Sequence, residues 1–125
     1  MSFSLKKHEI LRSKKNIKEL FDNGSSFFLY PFKVYYQSNN TEENNKVLFS
    51  VSKKSFAKAV DRNLIRRRMR EAYRLNKTLL NIDDKQSLSL SIALVYISKF
   101  KLSYSEIENK LKQVFVRLNR TEYKN

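Results

Sequence analysis

"AVDRNLIRRRMREAYR", residues 59–74, sets six arginines among Val60, Leu64, Ile65, Met69, Ala72 and Tyr73. At 100° per residue the stretch separates into two arcs. With Val60 at zero, Leu64, Ala72, Ile65, Met69 and Tyr73 fall between about 40° and 220°. Arg62, Arg66, Lys77, Arg70, Asn63, Arg74 and Arg67 fall between about 200° and 340°. Only Asp61 and Arg68 break the partition. A disordered basic tail would not sort its residues this way, so a helix over roughly 56–77 is expected, with its apolar side against a core.

Strand signals flank this helix. "KVLFSVS" (46–52) precedes it, and "SLSLSIALVYI" (87–97) follows with Leu88, Leu90, Ile92, Leu94 and Tyr96 on one side and Ser89, Ser91 and Ala93 on the other. A strand–helix–strand unit over 46–97 makes the central helix a crossover between neighbouring parallel strands, and base rates favour a right-handed one. Further out, "FFLYPFKVYYQ" (27–37) is rich in strand formers. Pro31 marks an edge, a kink or a division into two strands. The polar stretch "QSNNTEENN" (37–45) is expected to close a hairpin between 27–37 and 46–52.

Two more helices frame the chain. "RSKKNIKELFDNG" (12–24) has Ser13 as cap, Ile17, Leu20 and Phe21 on one face, and Asn23-Gly24 as a stop. "SYSEIENKLKQVFVRLNR" (103–120) opens with Ser13-like capping chemistry at Ser103, reciprocated by Glu106. Its apolar stripe is Ile107, Leu111, Val114, Phe115 and Leu118. The order α-β-β(-β)-α-β-α predicts an α+β fold, a single small sheet packed against helices, as one domain over 1–125.

Charge narrows the function. The net charge is +14 with pI near 10.1, and residues 53–77 alone hold ten Lys/Arg against Asp61 and Glu71. Such a balance favours polyanions, nucleic acid before anionic membrane. Solvated helix faces usually alternate sign, whereas Arg62, Arg66, Arg70 and Arg74 stack like charges at i+4. Arginine supplies planar forks suited to phosphate. Five to eight engaged phosphates would give a salt slope of about −5 to −7 on a duplex. On 32–37, Lys33, Tyr35 and Gln37 share one strand side, the mixture of cation and aromatic that a single-strand platform needs; the plain alternative is that Tyr35 only covers the sheet.

Other chemistry is poorly represented. Cysteine is absent, which excludes disulfides and thiol nucleophiles. His8 is the only histidine and reads as a surface residue, and the Asp83-Asp84 pair lacks the further acids of a two-metal nuclease. No apolar run suits a signal peptide or a membrane span, and the apolar arc of the basic helix is needed for the core, so a cytoplasmic protein without membrane association is expected.

"VSKKSFAKAVDRNLIRRRMREAYR" (51–74) resembles the signature of the bacterial ribonuclease P protein component, Ser-Lys-Lys followed after a gap by Ala-x-x-Arg-Asn-x-x-Lys/Arg-Arg-x-x-Arg-Glu. Lys53, Lys54, Arg62, Asn63, Arg66, Arg67, Arg70 and Glu71 fall into it, and "LKKHEILRSKKNIKELFDNG" is similar to the family's first helix. The resemblance implies an accessory protein subunit of an RNA-based endoribonuclease, one protein per catalytic RNA. The RNA would perform the Mg²⁺-dependent hydrolysis that removes the 5′ leader of precursor tRNA, and the protein would hold no catalytic residue and no tightly bound metal. It further implies that Lys53, Lys54, Arg62, Asn63, Arg66, Arg67, Arg70 and Arg74 bind that RNA. Ile17, Phe21, Lys33 and Tyr35 would line a leader cleft between first helix and sheet, and the βαβ crossover would be left-handed. Ile17 stands where the family usually has an aromatic, Arg66 where it usually has Lys, and "LFSVS" lacks a common Gly. The rival readings are a ribosomal or chaperone-like RNA binder, indifferent to a 5′ leader, and a protein nuclease that cuts without an RNA cofactor.

Overall fold

The central strand of the sheet is buried on both faces, and this organises the rest. In a computed structural model describing residues 4–38, 45–80 and 89–121, four strands run in the order β1-β2-β4-β3: β1 Ser25–Leu29, β2 Phe32–Ser38, β3 Lys46–Val51 and β4 Leu90–Tyr96. Helices α1 (Lys14–Asn23), α2 (Ala59–Asn76) and α3 (Tyr104–Thr121) cover it. Helices α2 and α3 pack on one face over Val34, Val47, Phe49, Ile92, Leu94 and Tyr96. The smaller α1 closes part of the other, where Leu11, Leu20 and Ala93 form a second cluster with Ile17, Tyr35 and Leu48.

Burial on both sides explains a departure from expectation. Ser89, Ser91 and Ala93, on the side opposite Leu90, Ile92, Leu94 and Tyr96, are buried as well; Leu88 lies outside the described residues. The expected hairpin between 27–37 and 46–52 does not form. Strand β4 inserts between them, antiparallel to β2 and parallel to β3. A run that is apolar on both faces gains most at the centre of a sheet, leaving the polar-sided strands nearer the edge. The hairpin partner of β2 is instead β1, because Tyr30 and Pro31, joined by a cis peptide, divide the 27–37 segment.

The hand of the β3–α2–β4 crossover follows from stereochemistry. For an L-residue in a strand running upward with its side chain toward the viewer, its own N–H and C=O point right. The Tyr96 side chain lies in the α2/α3 core, and its carbonyl accepts from the Ser52 N–H at 3.2 Å. Seen from α2, β3 therefore lies to the right of β4, and the chain crosses leftward in front of the sheet. The Val47 carbonyl, accepting from Leu11 N–H on the outer edge at 3.0 Å, repeats the relation. The crossover is left-handed, against the strong right-handed rule.

Local signals held where they rest on neighbouring residues. Ser13 Oγ accepts from Asn16 N–H, and Ser103 and Glu106 form the reciprocal capping box. The α3 stripe is buried throughout. Gly24 ends α1 for a steric reason, since its φ is −74°. A Cβ there would sit 2.5 Å from the Leu20 carbonyl oxygen and 3.0 Å from that of Tyr36, so only glycine lets α1 meet β2 this closely. Helix α2 starts at Ala59, later than expected. Val60, the zero of the angular scale and outside the apolar arc, is 69% exposed in its first turn.

Candidate nucleic-acid interface

The arginines of α2 divide by what they touch. Arg68, which broke the apolar arc, donates through Nη1 to the Leu102 carbonyl at 2.7 Å, and Asp61, the other exception, pairs with Lys101 at 2.8 Å. Both charges that looked misplaced anchor the β4–α3 connection. The Tyr96 hydroxyl braces the same connection, donating to the Phe100 carbonyl and accepting from Leu102 N–H. Arg62 donates to the carbonyls of Phe56 and Ala57, tying the segment before α2 to the first turn of the helix. Arg74 is held by Glu71 at 2.6 Å, and this pairing lowers the Glu71 carboxyl from its ordinary range.

The remaining members of the motif face outward. Asn63, Arg67 and Arg70 are exposed and Arg66 is half-buried. Among the described residues no hydrogen bond or ion pair engages the guanidinium of Arg67 or Arg70. Asn63, Arg66, Arg67 and Arg70 line one open groove of about 390 Å³ with Ile10, Leu48 and Phe49. Lys53 and Lys54 are exposed in the turn after β3. The result is a surface of hydrogen-bond donors, which suits phosphate.

The other face of the sheet carries a different surface. Register across the strands places Phe28, Lys33, Val95 and Ser50 in one row and Ser26, Tyr35, Ala93 and Leu48 in the next. Through Leu20 and Ile17, α1 covers the second row and leaves the first open. Phe21 meets Tyr35 edge-on at 4.6 Å between centroids, and Lys33 Nζ lies 5.2 Å from the Tyr35 ring and 5.3 Å from the Phe28 ring. Phe21, Tyr35, Lys33 and Phe28 thus make a continuous strip of aromatics and one cation. The expected cleft residues Phe21, Lys33 and Tyr35 come together there, whereas Ile17 is half-buried against the second core.

Phe28, 63% exposed, was not foreseen. Its signal was available: once Tyr30-Pro31 is read as the turn, antiparallel pairing puts Phe28 opposite Lys33. The Asp83-Asp84 pair lies outside the described residues. His8 is exposed on a 3₁₀ turn, Lys7–Glu9. Among the described residues no helix is long and apolar enough to cross a membrane, and no three His, Asp or Glu side chains group as metal ligands would.

Residues 5–119 match the family model described as Ribonuclease P. The chain is 34% identical over 120 residues to the "Ribonuclease P protein component" of Porphyromonas gingivalis, covering 94% of this chain and 88% of that one. To the protein of the same description from Chlorobium phaeobacteroides it is 40% identical over 105 residues, 75% and 72% covered. Among solved structures, the ribonuclease P protein of Staphylococcus aureus superimposes with a TM-score of 0.72 at 24% identity, covering 87% of this chain and 94% of that one. That of Thermotoga maritima gives 0.72 at 23% identity, covering 87% and 96%.

Proposed function

The chain belongs to the ribonuclease P protein family, and on that premise we propose that it binds the catalytic RNA of ribonuclease P through α2 and the 5′ leader of precursor tRNA through the aromatic strip. As a protein of this family it takes part in tRNA processing by the ribonuclease P endoribonuclease. The finer reading assigns hydrolysis and the Mg²⁺ it needs to the RNA, since the two protein surfaces offer cationic and aromatic groups rather than a set of carboxylates. One protein would serve one RNA, in the cytoplasm.

The observation that carries this reading is the separation of the two surfaces. Donor groups at Asn63, Arg66, Arg67 and Arg70, bordered by Lys53 and Lys54, can neutralise the phosphates of a folded RNA. Phe21, Tyr35 and Phe28, with Lys33 among them, can stack unpaired bases and steady their backbone, each stacked base contributing about 1–3 kcal/mol. Arg62, already engaged within the fold through Nη1, keeps further donors for the RNA. A protein with both surfaces can hold catalyst and substrate in one orientation, which lowers the entropic part of the barrier without chemistry of its own.

The test is precursor-tRNA cleavage at low Mg²⁺ with purified protein, cognate RNA, or both. Rapid correct cleavage is expected only with both. A protein that adds nothing to the RNA would overturn the subunit role, and cleavage by protein without RNA would overturn the assignment of chemistry to the RNA.

A further inference from the structure

We propose that the groove between α2 and the outer edge of β3 seats the base of one unpaired guanine of the partner RNA, resting on the reading that α2 binds that RNA. Backbone neutralisation requires only a cationic face, yet here the arginines rim an apolar floor. Ile10 bridges to Val47 and extends the edge of β3, and together with Leu48 and Phe49 it lines the open cleft below Asn63, Arg66, Arg67 and Arg70. The volume of about 390 Å³ falls in the range of clefts that hold small organic ligands, about 300–1,000 Å³. A flat apolar face above, anionic links at either side and a polar edge are the features of an unstacked nucleotide, the form in which proteins read RNA sequence.

The polar groups choose the edge. Arg66 Nη1 lies 2.6 Å from Asn63 Oδ1. A guanidinium can only donate, so this contact directs Asn63 Oδ1 toward Arg66, occupying one of its two lone pairs, and leaves the Nδ2 amide as a donor. Arg66, Arg67 and Arg70 offer only donors, and no carboxylate lines the groove. A rim dominated by donors fits a base edge with adjacent acceptors. Guanine presents O6 and N7 together, whereas adenine places its N6 amino donors beside N7 and would meet a like group.

The experiment binds the full chain to its cognate ribonuclease P RNA and maps guanine N7 reactivity toward dimethyl sulfate. One unpaired guanine is expected to be protected by the wild-type chain and reactive again with Asn63→Asp, an exposed position whose carboxylate can still accept from Arg66. Replacing that nucleotide with 7-deazaguanine is expected to weaken wild-type binding by about 5- to 100-fold and to leave Asn63→Asp binding unchanged. If the wild-type chain binds the RNA but protects no guanine N7, with interference confined to phosphates, the base site is overturned and the RNA-binding reading stands. If the wild-type chain does not bind the RNA, both fall.

Discussion

Arg68 donates to the Leu102 carbonyl at 2.7 Å across 34 residues of chain, while Arg67, its neighbour in sequence, faces solvent. Adjacent arginines in one motif therefore serve different ends. Arg68→Ala is expected to lower stability by about 1–2 kcal/mol, the scale of a charge-assisted hydrogen bond, with an unchanged salt slope for RNA binding. Arg67→Ala should leave the melting temperature alone and reduce that slope by about one. Thermal melts and salt titrations of the two variants check both; equal behaviour would remove the distinction.

Gly24→Ala should destabilise the fold by about 1–3 kcal/mol, because the added methyl meets the carbonyl oxygens of Leu20 and Tyr36 at 2.5 and 3.0 Å. Relief requires α1 to move off β2, so leader binding should weaken along with the urea midpoint. A stability unchanged from wild type would show that α1 accommodates the methyl freely.

Tyr35→Ala and Phe28→Ala should each weaken binding of precursor tRNA by the holoenzyme by about 5- to 100-fold, the cost of one stacked base, and leave mature tRNA binding unchanged. Phe28 is the cleaner test, being 63% exposed with little core to lose. Equal loss for both tRNAs would remove the strip from leader recognition.

Glu9 and Lys77 tie the N-terminal segment to the end of α2 at 2.8 Å, with side chains only 15% and 18% exposed. Burial raises the Glu9 carboxyl, but the hydrogen bond from Lys77, with that from the Lys6 amide, outweighs it and leaves the group below its ordinary 4.5. A depressed folded-state value means stability present above about pH 4.5 and lost as pH falls through the folded value. Glu9→Gln should thus be less stable than wild type at pH 7, with the gap closing toward pH 3, as read by urea midpoints. A gap constant with pH would place the effect outside ionisation.

The two arcs of α2, the α3 stripe and the caps at Ser13 and Ser103 were all legible in the sequence, as was the resemblance carried by 51–74. Each depends on residues within about a turn of one another, whose relative directions the backbone geometry dictates. That Lys33 and Tyr35 share one side of β2 was legible for the same reason, the two being alternate positions on a strand. The tertiary structure decided what depends on competition between distant segments. It put β4 between β2 and β3 because β4 alone is apolar on both sides, and it sent α2 across to the left. It assigned Arg68 and Asp61 to the β4–α3 connection and left Arg67 and Arg70 open. It also packed Ile17 into the second core while exposing Phe28 beside Lys33. A local pattern sets which way a side chain leaves its own element; only the packed sheet sets what it meets there.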